Sequence, residues 1–345
     1  MERDLWQYLK TASKPIVLYG MGNGADKIIK VLEEKGIAFS GIFASDNFVR
    51  EKTFHGMKIQ TYAALKAHFK EMIVLLCFGS QRPEVLENVK KISLEQELYA
   101  PEVPVIGGGL FDLDYYNSNS AHFNKIYPLL ADKKSKETFL DIIKYKISGK
   151  LEYLYDCQIS NDEPYDSFLH LNEKESFLDL GAYNGDTVLD FANRCPDYNK
   201  IIAAEPDKKT FKKLLKNTEN LKNIRCENIC ISNFSGNGKF SMKSGRNSTI
   251  AADGTEINFS TIDNLLNNEE VSFIKMDVEG EEKNAILGAE QTIRKYKPKM
   301  LISAYHRTED IFEIPNAVMN IRNDYKIYMR HFVSLPAWDT VYYFI

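Results

Sequence analysis

Long apolar runs are missing from this sequence. The longest, in "EMIVLLCFGS" and "KMLISAY", are strand-sized, well short of the roughly 20 residues that span a bilayer. The opening "MERDLWQYLK" lacks the apolar core of a signal peptide. Cysteine is sparse: Cys77, Cys157, Cys195, Cys226 and Cys230 are odd in number and scattered, so no disulfide framework is expected. Cys226 and Cys230 stand four apart in "RCENIC", but no second Cys or His pair lies nearby. They read as small core residues and not as zinc ligands. An excess of one charge is missing too. The net charge of −4 gives no general attraction to nucleic acid or to an anionic membrane, and the basic stretch "DKKTFKKLLKN" reads as the wet face of an amphipathic helix. From these absences a reduced, cytoplasmic protein with no membrane span and no nucleic-acid partner is expected.

What is present is α/β punctuation, twice over. At 345 residues the chain is long enough for two cores. "KPIVLYGMGNGADKIIKVLEEKGIAFSGIFASDN" reads as a strand (Pro15–Tyr19), a turn carrying Gly20, Gly22 and Gly24, a helix, and a strand over 39–44 that ends near Asp46. A carboxylate 22 residues beyond the last glycine is placed to bind a ribose. The G-x-G-x-G spacing lacks the usual third glycine, so this turn either holds a nucleotide or other ligand or only packs a helix on a strand. "MIVLLCFGS" reads as a buried strand, "RPEVLENVKKI" as a helix and "VPVIGGG" as a last short strand. A Rossmann-like domain is expected over 1–114, serving in nucleotide or sugar binding or as an accessory. Residues 115–172 carry helical spacing and are expected to form a helical connector, with the Asn/Ser cluster at 117–120 as its linker.

From 173 to 345 the alternation is sharper. "SFLDL", "KIIAAEP", "NIRCENICIS", "VSFIKMDVEG" and "KPKMLISAYH" read as successive strands with helices between them. A polar, Gly-rich stretch (233–258) reads as a small hairpin, and "EEKNAILGAEQTIRKY" as one helix. "YKIYMRHF" and "DTVYYFI" close the chain as an antiparallel hairpin on an otherwise parallel sheet.

In such sheets ligands bind outside the carboxyl ends of the strands. Gly181 and Gly185 let the backbone turn close to a ligand, and the helix starting near Thr187 aims free N–H groups there. Glu205 ends the next strand, 20 residues beyond Gly185, where a carboxylate accepts both hydroxyls of a ribose. "GAYNG" has the wrong spacing for a pyrophosphate, and Asp179 repels phosphate while suiting a cationic or amino-bearing ligand. S-adenosyl-L-methionine, with ribose hydroxyls, an ammonium and a sulfonium and no phosphate, fits this turn better than NAD.

"FLDLGAYNGDT", "AAEPD", "STIDNLL" and "IKMDVEGEE", followed by "ISAYH", resemble the FkbM-type methyltransferases over roughly 173–345. The resemblance implies a class I, S-adenosylmethionine-dependent methyltransferase fold for this half, and often O-methylation of sugar or glycan-precursor hydroxyls. It implies that Asp179, Gly181, Asn184 and Gly185 line the methionine end of the cofactor, with Tyr183 and Thr187 in the same turn, and that Glu205 holds the ribose. Asn228 and Ser232 are candidates for the adenine. The fold class expected is therefore α/β with two Rossmann-like domains.

Methylating oxygen needs a base or metal to take the hydroxyl proton. The candidates at the strand ends are Asp277, Glu279 and His306. Asp277 is either catalytic or a buried structural carboxylate paired with backbone N–H groups or Lys275. Glu279 precedes Gly280, whereas Glu281 and Glu282 suit a helix start. Arg307 either binds an acidic substrate or pairs with Glu309 or Asp310. Asp277, Glu279 and His306 together can ligate a divalent cation, though no spacing demands a metal and none is assigned. Two other classes stay open. One is an NAD(P)-dependent oxidoreductase using Gly20–Gly24 and Asp46; the other is a non-catalytic nucleotide- or sugar-binding module.

Overall fold

The computed structural model describes residues 2–45, 53–243, 247–250 and 255–345. Its first sheet has the order β3 (Thr53–Phe54), β4 (Met57–Gln60), β2 (Gly41–Phe43), β1 (Ile16–Tyr19), β5 (Ile73–Leu76), β6 (Glu97–Tyr99). All its pairings are parallel except β3 with β4. The second sheet runs β10 (Ile224–Glu227), β9 (Lys200–Ala204), β8 (Ser176–Leu180), β15 (Phe273–Met276), β16 (Lys299–Ser303), β18 (Thr340–Phe344), β17 (Ile327–Phe332), β7 (Gln158–Ile159). Here β18 is antiparallel to both its neighbours, and the remaining pairings are parallel. A small third sheet holds β11 (Cys230–Ile231), β14 (Thr255–Ser260), β12 (Gly236–Lys243) and β13 (Asn247–Ile250). The architecture is mixed α/β with mostly parallel main sheets.

The strands read as near-continuous apolar runs because both faces of each main sheet are covered. Within β1, Ile16 and Leu18 enter one core while Val17 and Tyr19 enter another, as period-two geometry requires. That second core is shared across the molecule. Val17, Tyr19 and Val74 meet Phe123, Phe139 and Ile142 of the intervening helices, and Leu178, Leu180 and Met276 of the second sheet, in one cluster. Each buried phenylalanine contributes roughly 1.5–3 kcal/mol of transfer free energy, so the segment after the first sheet docks firmly. Its helices run 113–118, 120–126, 133–148, 152–157 and 163–167. The buried Arg330 of β17 reaches Asp132 at 2.7 Å and Glu163 at 2.9 Å, tying the terminal hairpin to this helical layer.

Five segments differ from the sequence expectation. Residues 103–109 are irregular, and the sixth strand of the first sheet lies earlier, at β6. Pro104 has no N–H to give a ladder, and Gly107 and Gly109 hold φ values of 84° and 94°. "NIRCENICIS" forms β10 and β11 in different sheets, parted where the Asn228 amide donates to the carbonyls of Glu205 and Pro206 at 2.8 and 2.9 Å. The stretch expected as a hairpin supplies three strands, β12 to β14. The helix expected over 281–296 breaks into 282–287 and 290–296, because Gly288 packs on the Ser232 carbonyl, 2.4 Å from where a Cβ would sit. The Asn/Ser cluster at 117–120 is a junction of two helices at Asn119.

Candidate active site

Strand β8 ends at Leu180, and the chain turns because Gly181 takes φ 76°. The turn lies so close to β15 that a Cβ on Gly181 would sit 1.9 Å from the Asp277 carbonyl oxygen. Gly185, at φ 89°, packs on Leu214 and Thr218 at the C-terminal end of the helix after β9, Lys208–Asn217. Between them, Tyr183 is exposed at φ 47°, and its N–H donates to Glu205 Oε2 at 2.9 Å. The Asp207 N–H donates to the other oxygen, Oε1, at 2.8 Å. Glu205 thus fastens the turn to the end of β9, with the remaining lone pairs of its carboxylate still available.

Asp179 occupies a different place from the one read in the sequence. It is fully buried and lies behind the turn: the Thr187 hydroxyl donates to its Oδ2, and Lys275 Nζ stands 3.2 Å from Oδ1. Lys275 also donates to the Gly181 carbonyl at 3.0 Å. The aspartate–lysine pair therefore shapes the turn from within, and neither Asp179 nor Asn184 lines the cleft beside it. The Asn184 carbonyl instead accepts from Asn217. Asn228 is committed to backbone carbonyls as above, and Ser232 donates to Glu281; the wall near them is formed by Ile229, Cys230 and Ile231.

The cleft has a volume of about 600 Å³ and is lined by Gly181, Tyr183, Thr187, Glu205, Asp277 and Glu279, with Asp186, Asp207, Asp339, Lys275 and Tyr305. Six of these are carboxylates and one, Lys275, is a cation. Burial pushes the Glu205 carboxyl up to about 7, against the lowering effect of the Asp207 and Tyr183 N–H groups.

Behind Asp277 and Glu279 lies His306, 0% exposed. Its Nε2 is 3.4 Å from Asp277 Oδ1 and 3.6 Å from Glu279 Oε2, and its Nδ1 is 3.0 Å from the buried Glu282 Oε1. Burial alone would lower the imidazole pKa, but Glu282, then Asp277 and Glu279, outweigh it and raise it to about 10. At neutral pH this histidine is an imidazolium that holds carboxylates in place, and it does not line the cleft. Asp310, also buried, accepts from the Arg307 N–H at 2.7 Å, and burial followed by Glu282 raises its carboxyl to about 7. Arg307 turns its guanidinium to the Gly280 carbonyl at 2.8 Å. Asp277, Glu282 and His306 each bring one ligand-type atom within 4.8 Å of the others. The charges they carry are already balanced in part by the imidazolium.

Removing that imidazolium leaves buried carboxylates uncompensated, so His306→Gln is expected to lose about 3–5 kcal/mol of stability in urea unfolding at pH 7. The group's pKa is raised on folding from 6.5 to about 10. Its contribution is therefore complete below pH 6.5 and fades as pH rises through 10, and the variant should show a shallower loss of stability across that window.

Sequence reasoning missed Tyr305, Lys275 as the partner of Asp179, and Glu282. Tyr305 precedes His306 in "SAYH" and donates to Asp277 Oδ1 at 3.2 Å. Lys275 alternates with the apolar residues of "SFIKMD", a polar position inside a buried strand that calls for a partner. In the first half, Gly20 and Gly24 are packing glycines: a Cβ would sit 2.5 Å from the Phe78 ring and 2.2 Å from the Cys77 carbonyl. Gly22, at φ 120°, has open space around it. Asp46 lies outside the described residues.

Residues 179–327 match the profile of the methyltransferase FkbM domain. Over nearly the whole chain the fold is that of a methyltransferase FkbM from Methylobacillus flagellatus: TM-score 0.75, 20% identity, 96% of this chain and 90% of that one covered. Aeropyrum pernix fibrillarin, solved with natively bound S-adenosyl-L-methionine, aligns at 16% identity over 52% of this chain and 70% of its own, TM-score 0.33. A precorrin-6y C5,15-methyltransferase from Geobacter metallireducens aligns at 12% identity over 51% and 82%, TM-score 0.33. No curated protein matches the chain.

Proposed function

From a methyltransferase FkbM domain spanning residues 179–327, we propose an S-adenosyl-L-methionine-dependent O-methyltransferase that acts on a hydroxyl of a small sugar-type or glycan-precursor acceptor. The observation that carries the donor assignment is the charge of the cleft. Six carboxylates line it against one lysine that is already engaged. A phosphate-bearing dinucleotide is repelled there, whereas a ligand with a sulfonium, an ammonium and ribose hydroxyls is favoured. Glu205 is the ribose acceptor, held by two backbone N–H groups, and Gly181 lets the backbone approach. The donor supplies a methyl group already activated by the sulfonium charge.

The protein's part is alignment and proton removal. Holding the reactants in place is worth roughly 7–11 kcal/mol of barrier. Asp277, on the cleft wall and touched by the Tyr305 hydroxyl, is the carboxylate assigned to take the acceptor's proton. His306, protonated and buried, is a positioning residue for Asp277 and Glu279.

Calorimetric titration of the protein with S-adenosylhomocysteine and with NAD⁺ tests the donor assignment. Micromolar binding of the former and at least tenfold weaker binding of the latter is expected; the reverse order would overturn it. Because Glu205 titrates near 7 in the folded protein and the ribose needs its ionised form, S-adenosylhomocysteine affinity should rise between pH 6 and pH 8. In Glu205→Gln that rise should disappear.

A further inference from the structure

A second cavity, of about 540 Å³, lies between the two sheets. Its floor is the carboxyl end of β1 and β5, adjacent strands of the first sheet whose connections leave toward opposite edges. Such a switch point is where open α/β sheets hold ligands. Met21, Asn23 and Lys27 stand on one side, and Phe78 to Arg82 on the other. The roof comes from the second half: Tyr305, Ser334, Pro336 and Trp338. The two halves are stitched at its rim. Ser80 and Leu335 exchange backbone hydrogen bonds at 2.7 and 3.1 Å, and the Trp338 ring lies against Gly79, 2.1 Å from where a Cβ would sit.

Gln81 and Tyr305 line both this cavity and the acidic cleft. The two spaces meet there, and Tyr305 is the residue whose hydroxyl contacts Asp277 at 3.2 Å. Their linings differ in charge. Among the described residues the interdomain cavity is lined by no carboxylate and by two cations, Lys27, whose ammonium donates to the Pro104 and Val105 carbonyls at 2.9 and 2.6 Å, and Arg82, whose Nε donates to Glu84 at 2.7 Å, whereas six carboxylates line the neighbouring cleft. A negatively charged group is therefore repelled far less by the interdomain cavity than by the cleft, and an anion entering it competes with Glu84 for Arg82.

We propose that the interdomain cavity is the acceptor site, and that it takes an anionic hydroxy compound, a phosphorylated sugar being the class that fits. Its charged end lies toward Arg82 and Lys27, and its reacting hydroxyl passes Tyr305 and Gln81 to reach Asp277. On this account the first domain selects the acceptor. The assignment rests on the methyltransferase reading of the neighbouring cleft.

The test uses the full-length protein, with and without saturating S-adenosylhomocysteine, titrated with UDP-glucose, glucose 1-phosphate, inorganic pyrophosphate and glucose. At least one of the three anions should bind tenfold or more tightly than glucose. That binding should fall at least tenfold in Arg82→Glu, an exposed substitution, and in Met21→Trp, which fills the cavity from the first half. S-adenosylhomocysteine affinity should stay within threefold in both variants. Binding of none of the anions, or binding that neither variant weakens, would overturn the proposal. Loss of S-adenosylhomocysteine binding by wild type would overturn the donor assignment instead, and the titrations without it would still decide whether the cavity takes an anion.

Discussion

Replacing Asp277 by asparagine is expected to lower kcat for methyl transfer by about 10²–10⁴-fold, with S-adenosylhomocysteine affinity changed less than threefold. The position gives the reason. Backbone pairing to Leu180 at 2.9 Å sets Asp277 beside the Gly181 turn, while its carboxylate lines the cleft in contact with Tyr305. Asparagine keeps the size and the contact with Tyr305 but loses the capacity to take a proton. The split between kcat and donor binding separates this role from a structural one. Glu279→Gln is expected to lower kcat less, because Glu279 lies against His306 and is not the carboxylate assigned to take the proton. An Asp277→Asn enzyme with wild-type kcat would remove Asp277 from the proton path.

Gly181→Ala carries the second large effect, on the fold itself. An alanine at φ 76° costs about 1–2 kcal/mol in backbone conformation alone. Its methyl would also sit 1.9 Å from the Asp277 carbonyl oxygen, a backbone atom that cannot swing aside, so β8 and β15 must part at their carboxyl ends. A total loss of about 4 kcal/mol or more is expected in urea unfolding, together with loss of S-adenosylhomocysteine binding. Gly22→Ala is the matched control. It meets nothing within 4 Å and bears only the conformational cost of its φ of 120°, so it should leave donor binding intact.

Periodic and strongly apolar features were legible in the sequence. The buried runs "SFLDL" and "KIIAAEP", and the antiparallel aromatic pair at the end, appear as β8, β9, β17 and β18 because both-sided burial selects unbroken apolar strands. The turn at Gly181 to Gly185 and the carboxylate of Glu205 were legible because backbone conformation and strand-end position fix them locally. The role of Asp179 was not. Whether an acid at a strand end faces a ligand or turns inward depends on Thr187 and Lys275, and Lys275 comes from a strand almost a hundred residues away. His306 was found by type and place, but its partners Glu279 and Glu282 and its burial are tertiary facts. They turn a candidate base into a buried cation. The split of "NIRCENICIS" likewise rests on one amide, that of Asn228, which reaches back to the end of β9.

S-adenosyl-L-methionine is the ligand assigned to the turn after β8, fastened by Glu205. Calorimetric titration of S-adenosylhomocysteine into wild type and into Glu205→Gln, both checked for folding by circular dichroism, tests that assignment most directly. Micromolar binding by wild type and a roughly ten- to hundredfold loss in the variant, the range for hydrogen bonds to a charged group, are expected. Equal affinity in the two proteins, or no binding by folded wild type, would overturn the assignment.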